Sequence, residues 1–280
     1  MTGLDRKRIG IIADSHGNRE ATADAIRLLK GRGVDLLVHL GDFCDSIRHD
    51  RAAAMIDLLL EHDVLVVKGN NDFFFEKMLA DERRPAAAEG KKMLSFLRNV
   101  PVVRALGDIR LAHSLPFDTL RAFYEPIDLG NTLRAEELFN EADFRILFCG
   151  HSHLPILFRK ENRCVTREPV PPGLPVILQR TGRYIFIAGA ATDGECALYD
   201  GEAGTYERVR IEKGDNRGMT NCWPNRQAVR HIDPLNEGKR GAIPNIICWS
   251  QPTRRPSPQA DDQAGNDISR HRPLPQDPCL

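Results

Sequence analysis

The 280 residues include 39 Lys or Arg and 39 Asp or Glu, enough chain for one large domain with a sizeable core and no charge excess to draw it toward nucleic acid or anionic lipid. Seven cysteines, at 44, 149, 164, 196, 222, 248 and 279, are scattered and never spaced Cys-x-x-Cys. They read as reduced thiols, which excludes a disulfide framework or a thiolate zinc site. No apolar run is long enough to span a bilayer, and the charged start, Met1 to Arg8, leads straight into a strand without a signal-like stretch; a soluble, cytoplasmic protein without a membrane partner is expected.

Arg8 to Ala13 is a continuous apolar strand, closed by Asp14-Ser15-His16-Gly17-Asn18. Asn18 can cap the helix that follows, whose apolar residues Ala25, Ile26, Leu28 and Leu29 recur at helical spacing up to Gly31. The plan repeats. A strand from Asp35 to Leu40 ends in Gly41-Asp42, and a helix runs from about Ile47 to Glu61. A third strand, Val64 to Val67, ends in Gly69-Asn70-Asn71-Asp72. Buried strands alternating with helices imply a parallel or mixed sheet whose loops gather on one edge.

From Phe73 to Asn99 the pattern is helical but uneven, and the basic residues Arg83, Arg84, Lys91 and Lys92 read as a solvated face. Strands resume at Val102-Val103 and at Ile109 to Ala112, the latter ending in His113-Ser114. A helix from about Leu133 to Asn140 precedes a strand, Phe144 to Phe148, that ends in Cys149-Gly150-His151-Ser152-His153. The later runs, Ile156 to Arg159, Cys164 to Arg167, Tyr184 to Ile187, Cys196 to Tyr199 and Thr205 to Arg210, are short and lack helices between them, so an antiparallel second half is expected. The proline-rich stretch Pro169 to Pro175 reads as a loop. Beyond Lys213 lie nine of the eighteen prolines and no Phe or Tyr. A domain over 1–212 and a Pro-rich, largely disordered tail over 213–280 are therefore expected, with Trp223 and the patch Ile246 to Trp249 as sticky spots whose protein partner is unknown.

Five strand ends thus carry Asp14, His16, Asp42, Asn70, His113, His151 and His153. In extended backbone residues i and i+2 point the same way, so Asp14 with His16 and His151 with His153 can each turn both side chains into one cleft. Carboxylate, imidazole and amide oxygen suit first-row divalent metals. Seven donors exceed one ion and suit two that share a carboxylate. His39, His49 and His62, within a strand and on a helix, read as structural or surface residues.

The blocks Asp14-x-His16, Gly41-Asp42-x-x-Asp45, Gly69-Asn70-Asn71-Asp72, His113 and Gly150-His151-x-His153 stand in the order of a known signature. Over roughly residues 8 to 210 the chain resembles the calcineurin-like metallophosphoesterase superfamily, and its pattern is nearest to the small prokaryotic phosphodiesterase members. The resemblance implies an α/β fold of two mixed β-sheets packed as a sandwich and flanked by helices. It implies one metal on Asp14, His16, Asp42 and His153 and another on Asp42, Asn70, His113 and His151, with Asp42 bridging and Asp42, His113 and Asn70 at the centre of catalysis. Mn²⁺ leads as the ion, and Fe, Zn, Co or Ni are alternatives. The implied activity is hydrolysis of a phosphate ester, most simply as a phosphodiesterase or phosphatase on a small or nucleotide-like substrate, by attack of a metal-bridging hydroxide. A non-catalytic scaffold on the same fold is the alternative, and a nuclease acting on a nucleic-acid duplex is disfavoured by the balanced charge.

The chain departs from the family at three places. Asn71 stands where a histidine is common as proton donor to the leaving group. Ser46-Ile47 follows Asp45, where protein Ser/Thr phosphatases carry an arginine. Ala188-Gly189-Ala190-Ala191 stands where Asn-Pro-Gly-Ser is frequent. Asp45 and Asp72 are expected to fix loops and ligand tautomers behind the donors.

Overall fold

The computed structural model describes residues 7–81, 88–128 and 130–211. β1 (Arg8–Ile12), α1 (Arg19–Gly31), β2 (Leu36–His39), α2 (Ala52–Glu61) and β3 (Leu65–Val66) alternate, and the three strands run parallel. Asn18 caps α1 as expected, its Oδ1 accepting from the Ala21 N–H at 3.1 Å. α2 starts later than read, because residues 49–51 form a single 3-10 turn first. α3 (Asn70–Leu79) and α4 (Ala88–Asn99) follow, then β4 (Val103–Leu106), β5 (Ile109–Ala112), α5 (Arg121–Tyr124), α6 (Leu133–Glu141) and β6 (Ile146–Cys149). The second half holds β7 (Ile156–Glu161), β8 (Cys164–Pro169), β9 (Val176–Ile177), β10 (Arg183–Ile187), β11 (Glu195–Asp200) and β12 (Thr205–Arg210). Segment 213–280, with Trp223 and Trp249, and the pair Arg83 and Arg84 lie outside the described residues. No helix among the described residues is long and apolar enough to cross a membrane.

The strands form two mixed six-stranded sheets, in the orders β3-β2-β1-β11-β12-β9 and β4-β5-β6-β10-β7-β8. Apolar runs without polar alternation arise because each central strand is covered on both faces. Ile146 and Phe148 of β6 and Tyr184 and Phe186 of β10 face the other sheet, where they meet Ile9, Ile11, Val38 and Tyr206. Their neighbours Leu147, Cys149, Ile185 and Ile187 face outward onto Leu138 and Phe139 of α6. On the far side of the first sheet, Ile12 and Leu37 pack under Leu29 of α1 and Met55 and Leu59 of α2. The result is four layers, helix, sheet, sheet, helix, which is the expected sandwich.

The later strands depart from the expected antiparallel half at one place. β10 pairs antiparallel with β7 but parallel with β6. Burial on both faces explains this: a strand with no polar side belongs at the centre of a sheet, and the seat beside β6 is central. Cys44, Cys149 and Cys196 are free and buried, as reduced thiols should be, whereas Cys164 is disulfide-bonded and departs from that reading.

At the middle of the sandwich the ring of Phe186 stacks on that of Tyr206 at 4.0 Å, with Phe148 at 5.7 Å from Phe186. Removing a buried ring leaves a cavity that surrounding strands cannot close. Phe186→Ala should lower unfolding free energy by about 3–5 kcal/mol in denaturant titration, and a change below about 1 kcal/mol would show that the two sheets do not pack through these rings.

Candidate metal centre

Six strand ends, five of them carrying the expected donors, meet on one edge of the two sheets, and backbone hydrogen bonds join most of the loops that leave them. The N–H groups of Asp14, His16 and Gly17 donate to the carbonyls of Gly41, Asp42 and Phe43 at 3.1, 2.8 and 2.9 Å. Gly150 N–H donates to the His113 carbonyl at 2.9 Å, and Ala191 N–H to the Ala13 carbonyl at 2.8 Å. The loops after β1, β2, β5, β6 and β10 are therefore coupled across both sheets.

Asp72 couples the remaining loop. Its fully buried carboxylate accepts from the N–H groups of Asp42, Cys44 and Gly69, each at 2.8 Å. Burial first, and the nearby Asp42 charge second, push its pKa up to about 7. The expected loop-fixing role of Asp72 is thus present. Asp45 differs: its Oδ1 accepts from Ile47 and Arg48 N–H at 2.7 and 3.2 Å, so it turns its own loop. Neither acid sets a ligand tautomer. For His113 that is done by a backbone carbonyl, because Nδ1 lies 2.9 Å from the Leu40 oxygen and donates to it, which leaves the neutral ring's lone pair on Nε2.

All seven expected donors are brought together. His113 Nε2, His151 Nδ1 and Asn70 Oδ1 form a triangle with sides of 3.0, 3.1 and 3.1 Å. His16 Nε2 and His153 Nε2 face each other at 3.2 Å, and His153 Nε2 lies 3.5 Å from Asp14 Oδ1. Asp42 Oδ2 stands between the two groups, 3.5 Å from His113 Nε2 and 4.0 Å from His16 Nε2. Asp14 is also central, since one set of mutually close donor atoms contains Asp14, His16 and His153 and another Asp14, Asp42 and His113. His151 N–H donates to both oxygens of the Asp14 carboxylate, at 3.2 and 3.1 Å.

The donor set fits divalent cations. Adjacent ligands on an octahedral ion with bonds of about 2.1 Å lie about 3.0 Å apart, which is the spacing of the His113, His151 and Asn70 triangle. Lone-pair atoms packed so closely repel unless a proton or a cation lies between them. The electrostatics agree. Burial alone would raise the Asp14 pKa, but contact with His153 and the charges of His113, His153 and His16 outweigh it and hold the carboxyl below its usual range. Burial alone would lower His113, yet Asp42 and Asp14 raise it. Contact with Asp14 raises His153, whereas burial and the neighbouring His113 lower His151.

One expectation about local geometry does not hold. Asp14, His16, Asp42, His151 and His153 have φ of 52°, 43°, 55°, 76° and 61°, so the i and i+2 pairs converge through left-handed backbone, not extended backbone. Asp and His tolerate this region better than most residues, at about 1–3 kcal/mol each. The motif glycines have a steric reason. A Cβ on Gly69 would sit 2.1 Å from Asp42 Oδ1, and one on Gly150 2.5 Å from Asp14 Oδ2.

Several supporting residues were not legible in the sequence. Asn71 donates its backbone N–H to Asp42 Oδ1 at 2.8 Å and its side-chain amide to Asp42 Oδ2 at 2.6 Å. Thr192 Oγ1 donates to the Asp14 carbonyl at 3.2 Å, and Asp193 lies 3.8 Å from His153 Nδ1. These two follow Ala188 to Ala191, and only their place after a strand could have drawn attention to them. A Cβ on Gly189 would sit 2.0 Å from Glu195 Oε2, and Glu195 is paired with Arg208, so this loop is shaped by a buried ion pair. His39, His49 and His62 are structural. His39 Nε2 meets Ser15 Oγ at 2.8 Å, and burial depresses its pKa to about 3. His49 stacks on Phe75 at 5.2 Å, and His62 sits just past the end of α2, with Nδ1 3.3 Å from Lys30 Nζ.

A sequence profile of the calcineurin-like phosphoesterase superfamily domain matches residues 8–185. Among solved structures, a metallophosphoesterase from Sphaerobacter thermophilus is 24% identical with a TM-score of 0.58, over 74% of this chain and 89% of its own. A hypothetical protein from Pyrococcus horikoshii is 16% identical with a TM-score of 0.50, again over 74% and 89%. At such identities the two structures are alike in fold. No curated protein matches the sequence. The profile covers well over half of the chain and every strand end that carries a donor, and the chain belongs to the calcineurin-like phosphoesterase superfamily.

Proposed function

We propose that this chain is a metal-dependent phosphoesterase, a phosphodiesterase or phosphatase that hydrolyses small or nucleotide-like phosphate esters with good leaving groups, diesters included, with two divalent ions, Mn²⁺ first among them. Asp14, His16, Asp42 and His153 would hold one ion, and Asp42, Asn70, His113 and His151 the other. The observation that carries this reading is the position of Asp42 Oδ2 between His113 and His16, with a lone-pair triangle on one side and a facing histidine pair on the other. When bound, the ions supply Lewis-acid charge to phosphoryl oxygens and acidify a water molecule. The chain's own groups do the rest. Asn71 and Asp72 hold Asp42 and its loop in place, and the Leu40 carbonyl keeps the His113 Nε2 lone pair directed at Asn70 and His151. Asn71 cannot give a proton to a leaving group, and its amide is already engaged with Asp42. All seven donor positions are filled, which favours catalysis over the scaffold reading.

Asp42→Asn should cut bound metal well below the wild-type level and abolish turnover, because the shared donor loses its charge. Elemental analysis of the purified variant beside an activity assay checks this, and a full metal complement with normal turnover would sink the two-ion reading.

Leaving-group dependence offers a separate check. General acid catalysis is typically worth about 10²–10⁴ in rate, so the rate across aryl and alkyl phosphodiesters should fall steeply as leaving-group pKa rises. Asn71→His should flatten that slope, by speeding the poor leaving groups selectively. A shallow slope in the wild type would mean that another group already delivers the proton.

A further inference from the structure

His39 contributes no donor to the cluster, yet it is polar and fully buried. It follows Leu37 by two on β2, so both side chains turn to the face that α1 covers. There His39 Nε2 meets Ser15 Oγ at 2.8 Å, and Ser15 Oγ meets Thr22 Oγ1 of α1 at 2.8 Å. Thr22 Oγ1 in turn lies 2.9 Å from the Asn18 carbonyl. Three contacts thus run in a row from β2 to the start of α1, and each needs one hydrogen. A carbonyl only accepts, so the Thr22 hydrogen goes to Asn18 and the Ser15 hydrogen goes to Thr22. The last contact then takes its hydrogen from His39 Nε2. The opposite direction would leave two oxygens facing each other at 2.9 Å with no hydrogen between them. It would also put an orphan N–H on His39 Nδ1, which has no hydrogen-bond partner among the described residues.

We propose that His39 is a positioning residue, which donates from Nε2 to Ser15 and so holds the Asp14-Ser15-His16 turn in the shape that serves the ion on Asp14, His16, Asp42 and His153. This rests on the two-ion reading and names a residue that acts behind one of its ions. Asp14 and His16 flank Ser15 with φ of 52° and 43°. Their N–H groups are tied to the Gly41 and Asp42 carbonyls, and the Ser15 side chain adds a tie to β2 and α1. Without that tie the two left-handed residues could relax, and the Asp14 carboxylate and His16 ring would move together. The other ion has supports of its own: the Leu40 carbonyl holds His113, and Asp72 holds the Gly69 N–H just before Asn70. Burial depresses the His39 pKa to about 3, so the ring stays neutral with one hydrogen to give. A buried nitrogen without a partner disfavours the fold relative to an aliphatic side chain in the same place, so packing alone does not account for histidine here.

Two measurements on the full chain test this. Long-range ¹H–¹⁵N spectra of the wild type should show the His39 ring hydrogen on Nε2; a hydrogen on Nδ1 would overturn the proposal, and this readout needs no variant to fold. In calorimetric titration of the metal-free chain with Mn²⁺, Ser15→Ala and His39→Leu should each weaken one of two bound ions about 10- to 100-fold, as loss of a residue behind a ligand does, and leave the other unchanged. His16→Ala should remove that same ion. His39→Gln, whose amide N–H can stand in for Nε2–H, should keep both affinities near the wild-type values, and behaviour like that of His39→Leu would overturn the donor role. Equal weakening of both ions, or of neither, would overturn the positioning role alone, since the network would then serve the fold at large. A wild-type chain that binds fewer than two Mn²⁺ would instead remove the two-ion reading and the proposal with it.

Discussion

A carboxylate shut away from water must find its partners inside the protein, and Asp72 finds three backbone N–H groups on two loops. The placing of Asp42 and Asn70 in the candidate metal centre depends on that arrangement. It fixes Gly69 against Asp42 so closely that no side chain fits between them, and it starts α3 where Asn70 and Asn71 can reach the centre. Hydrogen bonds to a charged acceptor are about twice as strong as neutral ones, so one side chain can set the relative position of two strand ends. The same burial, ahead of the proximity of Asp42, raises its pKa to about 7, the electrostatic mark of gathering two carboxylates out of water.

That gathering has a backbone counterpart. Five donors occupy left-handed conformations that non-glycine residues usually avoid. Such strain persists only where surrounding structure over-determines it, and here the paired loops supply the determination. Asp14 illustrates the point: its N–H is bound by the Gly41 carbonyl, its own carbonyl by Thr192, and its carboxylate by the His151 N–H. A residue held at all of its polar groups cannot relax to a more ordinary φ without breaking bonds to three other loops.

The two sheets provide the rigid base for this edge. Their facing rings and aliphatic side chains form one continuous core, and the helices close the outer faces. Parallel strands end on the same side, so loops from distant parts of the chain arrive at a common place without a dedicated connecting element.

Much of this was legible from residue order. Apolar runs ending in Asp or His located the strands and the ends that meet at the candidate site, because burial on both faces leaves a continuous run and its first polar residue marks the edge. The seven donors follow from those ends, and they are the residues the structure brings together. Interactions between residues far apart in sequence were not legible. Nothing in Asn71 states that its amide will bind Asp42, nothing in β10 states that it will lie parallel to β6, and Phe74 looks like Phe75 until the fold buries one and exposes the other. The left-handed turns at Asp14 and His151 belong here as well, for they are imposed by hydrogen bonds from other loops. Local sequence determined which groups would stand at the strand ends, since hydrophobicity and periodicity act over a few residues; the tertiary structure alone decided how those groups face each other, since that depends on which distant loops supply their hydrogen-bond partners.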